Sequence, residues 1–205
     1  MQIPMKSKQL IALFITAFAL VLMYLSAYLP YVKGSLYITA LQNSQQATTL
    51  QDYLKPYEDA FNFWSPVGDP EEIRFFGNNI LNLLSNQKQT LSEAAATNLV
   101  DYAFDKLNSP SLGTKGLNYS QVILEKASIL ASYGKIYKKP EAFQKAEELY
   151  KQGLELSPHR PQFLYGLLSL YLAEGKTVEA KAIGETILKY WPTDQNIAKI
   201  MAELK

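Results

Sequence analysis

A chain of 205 residues has room for one domain and an appendage. Its 20 basic against 19 acidic side chains leave no surplus for a nucleic-acid face. Cysteine is absent, which removes disulfides, thiolate metal sites and a lipidated cysteine and says nothing of redox compartment. His159 is the only histidine, so most zinc sites, Cys/His pairs and Ser-His-Asp triads are removed as well.

Residues 1–8 precede LIALFITAFALVLMYLSAYL, residues 10–29, which carries no charge. At ~1.5 Å per residue this stretch covers the ~30 Å hydrocarbon core of a bilayer, and a transmembrane helix is expected over 9–30. Thr16 and Ser26 can bond back to the helix, and Tyr24, Tyr28 and Tyr31 gather at one end as an interfacial belt. Lys6 and Lys8 before the span, against Lys33 after it, place 1–8 in the cytoplasm and the remainder outside, in an inner (plasma) membrane. A cleaved signal peptide fits less well, because Ser26-Ala27-Tyr28-Leu29-Pro30 offers no small-x-small site. A buried core helix would need an apolar face downstream that the chain does not show.

Residues 31–118 read as degenerate helical hairpins lying close to the membrane. Tyr37, Ile38 and Leu41 share one helical face, and the polar run 43–46 turns the chain. Leu50, Leu54, Tyr57 and Phe61 form an apolar stripe, which Pro56 is expected to kink or split. Asp69-Pro70-Glu71-Glu72 has the form of a helix start, with Asp69 as N-cap and the glutamates as first-turn acids rather than a catalytic pair. Ile73, Phe76, Ile80 and Leu84 line the next face. Thr90-x-x-Glu93 forms a capping box before Leu99, Tyr102, Phe104 and Leu107. The Pro- and Gly-containing stretch 109–118 is the most flexible connection, and Asn118 to Gln121 are expected to cap the following helix. Asn118-Tyr119-Ser120 is also a glycosylation sequon, a short pattern that the capping role accounts for equally well.

From Leu130 the sequence repeats at an offset of 34: Leu130 and Leu164, Tyr137 and Tyr171, Ala146 and Ala180, Leu154 and Leu188, Pro158 and Pro192. Leu130-x2-Tyr133-Gly134-x2-Tyr137, Ala146-x3-Tyr150 and Pro158 together resemble the tetratricopeptide (TPR) pattern, a helix–turn–helix unit of ~34 residues. Small Gly134 and Ala146 let paired helices approach, and Pro158 and Pro192 close the second helices. The second copy departs from the pattern at Leu168, where it has Gly, and at Gly184, where it has an aromatic. Two repeats are expected within 119–192 (127–160 and 161–192), followed by a solubilising end helix over 193–205 with Ile197, Ile200, Met201 and Leu204 inward. The expected fold is therefore all-α: an N-terminal transmembrane helix, then an α-α superhelix of TPR-like hairpins.

No stretch matches a phosphate loop, a nucleophile elbow or a metal-ligand cluster, so neither catalysis nor a cofactor is expected from this chain. His159 reads as a turn histidine, and Glu147-Glu148 with Lys151 as a solvated face with local ion pairing. A concave wall made by the first helix of each repeat would present Ala131, Lys135 and Lys138, then Tyr165, Ser169 and Leu172, as a groove for a peptide or a neighbouring protein.

Over most of its length the chain also resembles the C-terminal part of bacterial O-antigen ligase/polymerase-type membrane proteins that carry a TPR tail. The likeness lies in LPYVKGSLYITALQ after the span, in YEDAFNFWSPVGDPEEIRFFGNNIL with its Glu72-Ile73-Arg74, and in LELSPHRPQFLYGLLSLYLAEGKTVEAKAI. The resemblance implies a setting in transfer or polymerisation of lipid-linked glycans outside the inner membrane, with a multi-span glycan-assembly protein as partner. It implies no catalytic residue here, since that activity belongs to a many-span body. The expected function is an anchored extracytoplasmic scaffold. Its rivals are a detached piece or split subunit of such a glycan ligase, and a secreted soluble TPR protein.

Overall fold

The computed structural model describes residues 5–85 and 91–204, and every element assigned among them is helical. In chain order these are α1 (Met5–Met23), a π-helical turn (Tyr24–Tyr28), α2 (Leu29–Ser44), α3 (Leu50–Asn62), α4 (Asp69–Ser85) and α5 (Glu93–Leu107). A 3₁₀ turn (Pro110–Leu112) leads to α6 (Gly116–Tyr137), α7 (Pro140–Leu156), α8 (Pro161–Glu174), α9 (Thr177–Tyr190) and α10 (Gln195–Glu203). The fold is all-α, with one N-terminal apolar helix followed by TPR-like hairpins. Contacts divide the chain into two compact units, Met1–Ile73 and Arg74–Lys205. Residues 1–4 of the segment expected in the cytoplasm, and Lys205, lie outside the described residues.

In the first unit the helix does not end at Pro30. Lys6–Ser44 forms one continuous 39-residue rod, long and apolar enough to cross a membrane. A proline ring within an α-helix collides with the carbonyl four residues back, here that of Ser26. The π turn precedes it and widens the helix: the Leu29 amide bonds to the Tyr24 carbonyl, five residues back, and Ser26 Oγ donates to the Leu22 carbonyl at 2.6 Å. Beyond the turn, α2 buries Leu29, Lys33, Tyr37, Ala40 and Ser44 along one face. Ile38, expected on that face, points outward and is exposed.

The chain then reverses. Thr49 caps α3 by accepting the Asp52 amide, and α3 returns along α2 with Leu54, Tyr57 and Ala60 inward. Pro56 neither splits α3 nor ends it. The proline removes one backbone bond, while Tyr57 is fully buried against the edge of Tyr37 at 5.6 Å and its hydroxyl lies 3.2 Å from Ser44 Oγ. Packing on both sides of Pro56 keeps the helix whole.

In the second unit α4 buries Phe76, Ile80 and Leu84, with Phe76 edge-on to Tyr102 of α5. The expected capping box involves Thr90, which lies outside the described residues; the N-cap of α5 is Ser92, whose hydroxyl accepts the Ala95 amide. The connection to α6 is shorter than the sequence suggests, because Leu112 is buried in the 3₁₀ turn and α6 already begins at Gly116. Asn118 therefore sits inside the first turn and is not the cap, which is Lys115.

Two hairpins follow, α6/α7 and α8/α9, with α8 packed on α7 and α10 on α9. Gly134 makes the first close approach: a Cβ there would lie 3.2 Å from Phe143 Cδ1 and 3.3 Å from Ala142 Cβ. Between repeats, aromatic rings fill glycine holes. A Cβ on Gly153 would meet Phe163 at 2.1 Å, and one on Gly166 would meet Tyr150 at 2.4 Å. Gly184, which replaces the pattern's aromatic, is filled from the other side, with Met201 of α10 at 2.2 Å from its ideal Cβ. Pro158 and Pro192 lie just beyond the ends of α7 and α9, as expected. Ile197 of α10 is buried, with Ile200, Met201 and Leu204 half-buried.

Candidate functional site

The α6 and α8 helices lie side by side, and a concavity of about 250 Å³ opens between them. Ala131, Lys135 and Ser169 line it, together with Ser128, Ser132, Phe143, Tyr150, Gly166, Leu170 and Ala173. Small side chains dominate this wall because the repeat packing demands them. Gly166 must admit the Tyr150 ring, whose hydroxyl is 3.3 Å from Ser128 Oγ. The result is a shallow floor lined by four hydroxyl-bearing side chains and one cation. Lys135 is exposed and has no carboxylate partner among the described residues. Such a surface suits a peptide or helix edge that brings a carboxylate to Lys135 and close-approaching backbone to the floor.

The other three expected groove residues do not line this concavity. Lys138 caps α6 in the left-handed conformation, at φ 53°. The Tyr165 hydroxyl is committed to Asp194, the N-cap of α10, which also accepts the Asn196 and Ile197 amides. Leu172 lies farther along α8 and is exposed. Counting from the repeat pattern identifies the helix but not which residues the next element engages.

Three polar clusters carry more than the sequence suggested. Lys33, read as a charge flanking the span, is 1% exposed. Its ammonium donates to the Ala60 carbonyl at 3.2 Å and the Phe63 carbonyl at 2.8 Å, and pairs with Asp69 at 2.7 Å and Glu72 at 3.7 Å. α4 starts at Asp69 with Glu71 and Glu72 in its first turn, as expected, but Asp69 pairs with Lys33 and Glu72 is buried. Burial raises its pKa to about 7 against the opposing pull of Lys33. Glu71 is exposed.

Glu125 of α6 is 3% exposed, with Arg74 Nε at 3.7 Å and Asn78 Nδ2 at 3.5 Å from Oε1, and Oε2 has no hydrogen-bond partner among the described residues. Burial lifts it to about 7, more than Arg74 and Gln121 lower it. Nearby, Arg160 donates to Ser120 Oγ at 2.9 Å and to Gln121 Oε1.

Glu147 makes the expected local pair with Lys151, but it is half-buried and has two further partners. It accepts from Lys151 at 2.7 Å, Tyr171 Oη at 3.0 Å and Lys176 at 3.0 Å, joining α7 to the second hairpin. Burial opposes its ionisation, and the three donors outweigh that and hold it at about 2. His159 is exposed, as expected of a turn, and lies edge-on to Tyr190 at 4.7 Å. Among the described residues no group of three or more His, Asp and Glu side chains gathers as a metal site would.

A tetratricopeptide repeat family model matches residues 139–204, which span α7 to α10. No curated protein and no solved structure matches the chain.

Proposed function

We propose that this chain is a single-pass membrane protein whose TPR-like repeats dock another protein outside the cytoplasm. TPR repeats generally mediate protein–protein contacts, and the tetratricopeptide match covers α7 to α10, including α8, the second helix of the wall, while α6 precedes it. The observation that carries the reading is the groove between α6 and α8, lined by small residues and by Lys135, which has no carboxylate partner among the described residues. Its fitting partner is a peptide segment or helix bearing an acidic residue.

Anchoring is supported by the apolar rod, and orientation by Lys6 and Lys8 at its start. Lys33 is neutralised inside the protein, which sharpens the positive bias of the N-terminal side. Cell-envelope glycan assembly is the setting proposed from the sequence resemblance. It makes a multi-span glycan-assembly protein the first partner to seek.

A photo-crosslinking residue at Ser169, in intact membranes, is expected to capture one discrete protein that the same residue at Val178, exposed on α9, does not. Lys135→Glu is expected to abolish that capture. Equal capture from both positions, or capture indifferent to Lys135→Glu, removes the groove as the docking site. Recovery of a partner other than a multi-span glycan-assembly protein removes the glycan setting alone.

A further inference from the structure

The connection from α3 to α4, Phe63 to Gly68, is uncharged and displays two large apolar side chains to solvent. Trp64 is 65% exposed and Val67 60%. The loop is not loose. Ser65 between them is buried, its Oγ accepts the Val67 amide at 3.4 Å, and the Phe63 carbonyl is held by Lys33. At Gly68, with φ +112°, a Cβ would lie 3.3 Å from Lys33 Cδ, so the loop wraps the lysine stem closely. A burial-driven fold would ordinarily cover a tryptophan, and here a fixed loop points it outward.

The helix directions say where this loop lies. α2 rises away from the apolar span, α3 returns beside it, and the α3 C-terminus therefore faces back toward the span. The Lys33 bonds to Ala60 and Phe63 set its height on the rod. Lys33 is four residues past Leu29, where the apolar stretch meets Pro30, or ~6 Å along the axis. A bilayer of ~40–45 Å with a ~30 Å hydrocarbon core has interfacial layers of ~5–7 Å on each side. The loop thus sits level with the lipid headgroups, at the height of Tyr31, which is 74% exposed on the same rod. Tryptophan prefers that layer because its ring is apolar and its indole N–H is wet.

We propose that the Trp64–Val67 loop is a second membrane-contact site, resting in the headgroup layer of the phospholipid bilayer that the rod spans. Lys33 is its latch: one buried ammonium fixes the loop's height and ties the hairpin to the anchor. Such a contact would limit tilting of the α2/α3 hairpin against the membrane, since a rod with a single point of entry is free to swing. This rests on the anchor reading proposed above.

The test uses the whole chain reconstituted into phosphatidylcholine/phosphatidylglycerol vesicles carrying bromine at a shallow or a deep acyl position. Trp64 and Trp191 are the only tryptophans, so Trp64→Phe isolates the contribution of the loop, and its exposed position leaves the fold intact. The expected result is quenching of the native protein by shallow bromines and weaker quenching by deep ones, both lost in Trp64→Phe. Equal quenching of the two proteins, or none, in vesicles with which the protein co-floats would overturn the loop contact and leave the anchor standing. Failure to co-float would overturn the anchor and the loop contact together.

Discussion

Glu125 and Glu147 are both drawn into helix packing, and their surroundings push them in opposite directions. Glu147 meets three donors, so its ionised form is favoured, and its contribution to stability is present above pH ~4.5 and lost as pH falls toward 2. Among the described residues Glu125 is buried with one weak cationic neighbour and an oxygen without a hydrogen-bond partner. Its folded pKa of about 7 exceeds the unfolded value of ~4.3, so between those two the folded state holds the extra proton. Stability therefore falls as pH rises through that window and levels off above it. Glu72 contributes a decline of the same sign. Removing Glu125's charge also deprives Arg74 of its partner, and breaking a buried pair can cost several kcal/mol. The Arg74 side chain is 31% exposed although its Nε is buried, and relief of the buried charge is expected to outweigh that loss. Glu125→Gln is expected to leave stability near pH 5 unchanged and raise it at pH 8 by ~1–3 kcal/mol. Chemical denaturation of the whole chain in detergent at the two pH values checks this; a variant weaker at pH 8 would show that the Arg74 contact dominates.

At the scale of elements, neighbouring repeats hold together by placing a bulky side chain over a glycine. The α7–α8 junction does so twice, with rigid rings that cannot fold out of the way. The α9–α10 junction does so once, with a methionine whose three rotatable bonds let it give. Gly166→Ala is expected to cost ~1–3 kcal/mol as an overpacked site, and Gly184→Ala under ~1 kcal/mol. Thermal or denaturant unfolding ranks the two, and the reverse order would mean that Tyr150 yields more readily than Met201. The 34-residue offset made both hairpins legible, because Leu, Tyr, Ala and Pro recur where helix faces and ends demand them. Gly184 looked like a departure since its compensation, Met201, lies in the next element and carries no repeat identity of its own. Likewise Ala131, Lys135 and Ser169 share one concavity, whereas repeat counting carries no sign that Asp194's capping geometry claims the Tyr165 hydroxyl once α10 docks. Lys33 was misread for a related reason: a lysine four residues past an apolar span has the sequence context of an interfacial charge. Only the return of α3 brings two carbonyls to it. Pro30 and Pro56 both signal breaks by local rules, and both lie within helices, one relieved by a π turn and one held by packing on either side.

For the molecule as a whole, the consequence is a question of sidedness that the composition makes simple to answer. The chain has no cysteine, so any one introduced is the only thiol present. Val178 is 78% exposed on α9, and Lys8 lies at the start of the apolar rod, before its charge-free run. Lys33 is folded into the protein and Lys6 and Lys8 are exposed before the span, and the proposed orientation keeps those two on the cytoplasmic side with α9 on the opposite face. In intact cells a membrane-impermeant maleimide is expected to label Val178→Cys and to spare Lys8→Cys until the membrane is opened. The converse labelling would invert the orientation and move both the groove and the Trp64 loop to the cytoplasmic face. Labelling of both positions in intact cells would mean that the rod does not separate them, and the anchor itself would fail. Because Val178 is remote from the groove residues Lys135 and Ser169 along the chain and absent from the groove wall, its labelling reports sidedness without depending on whether a partner is bound.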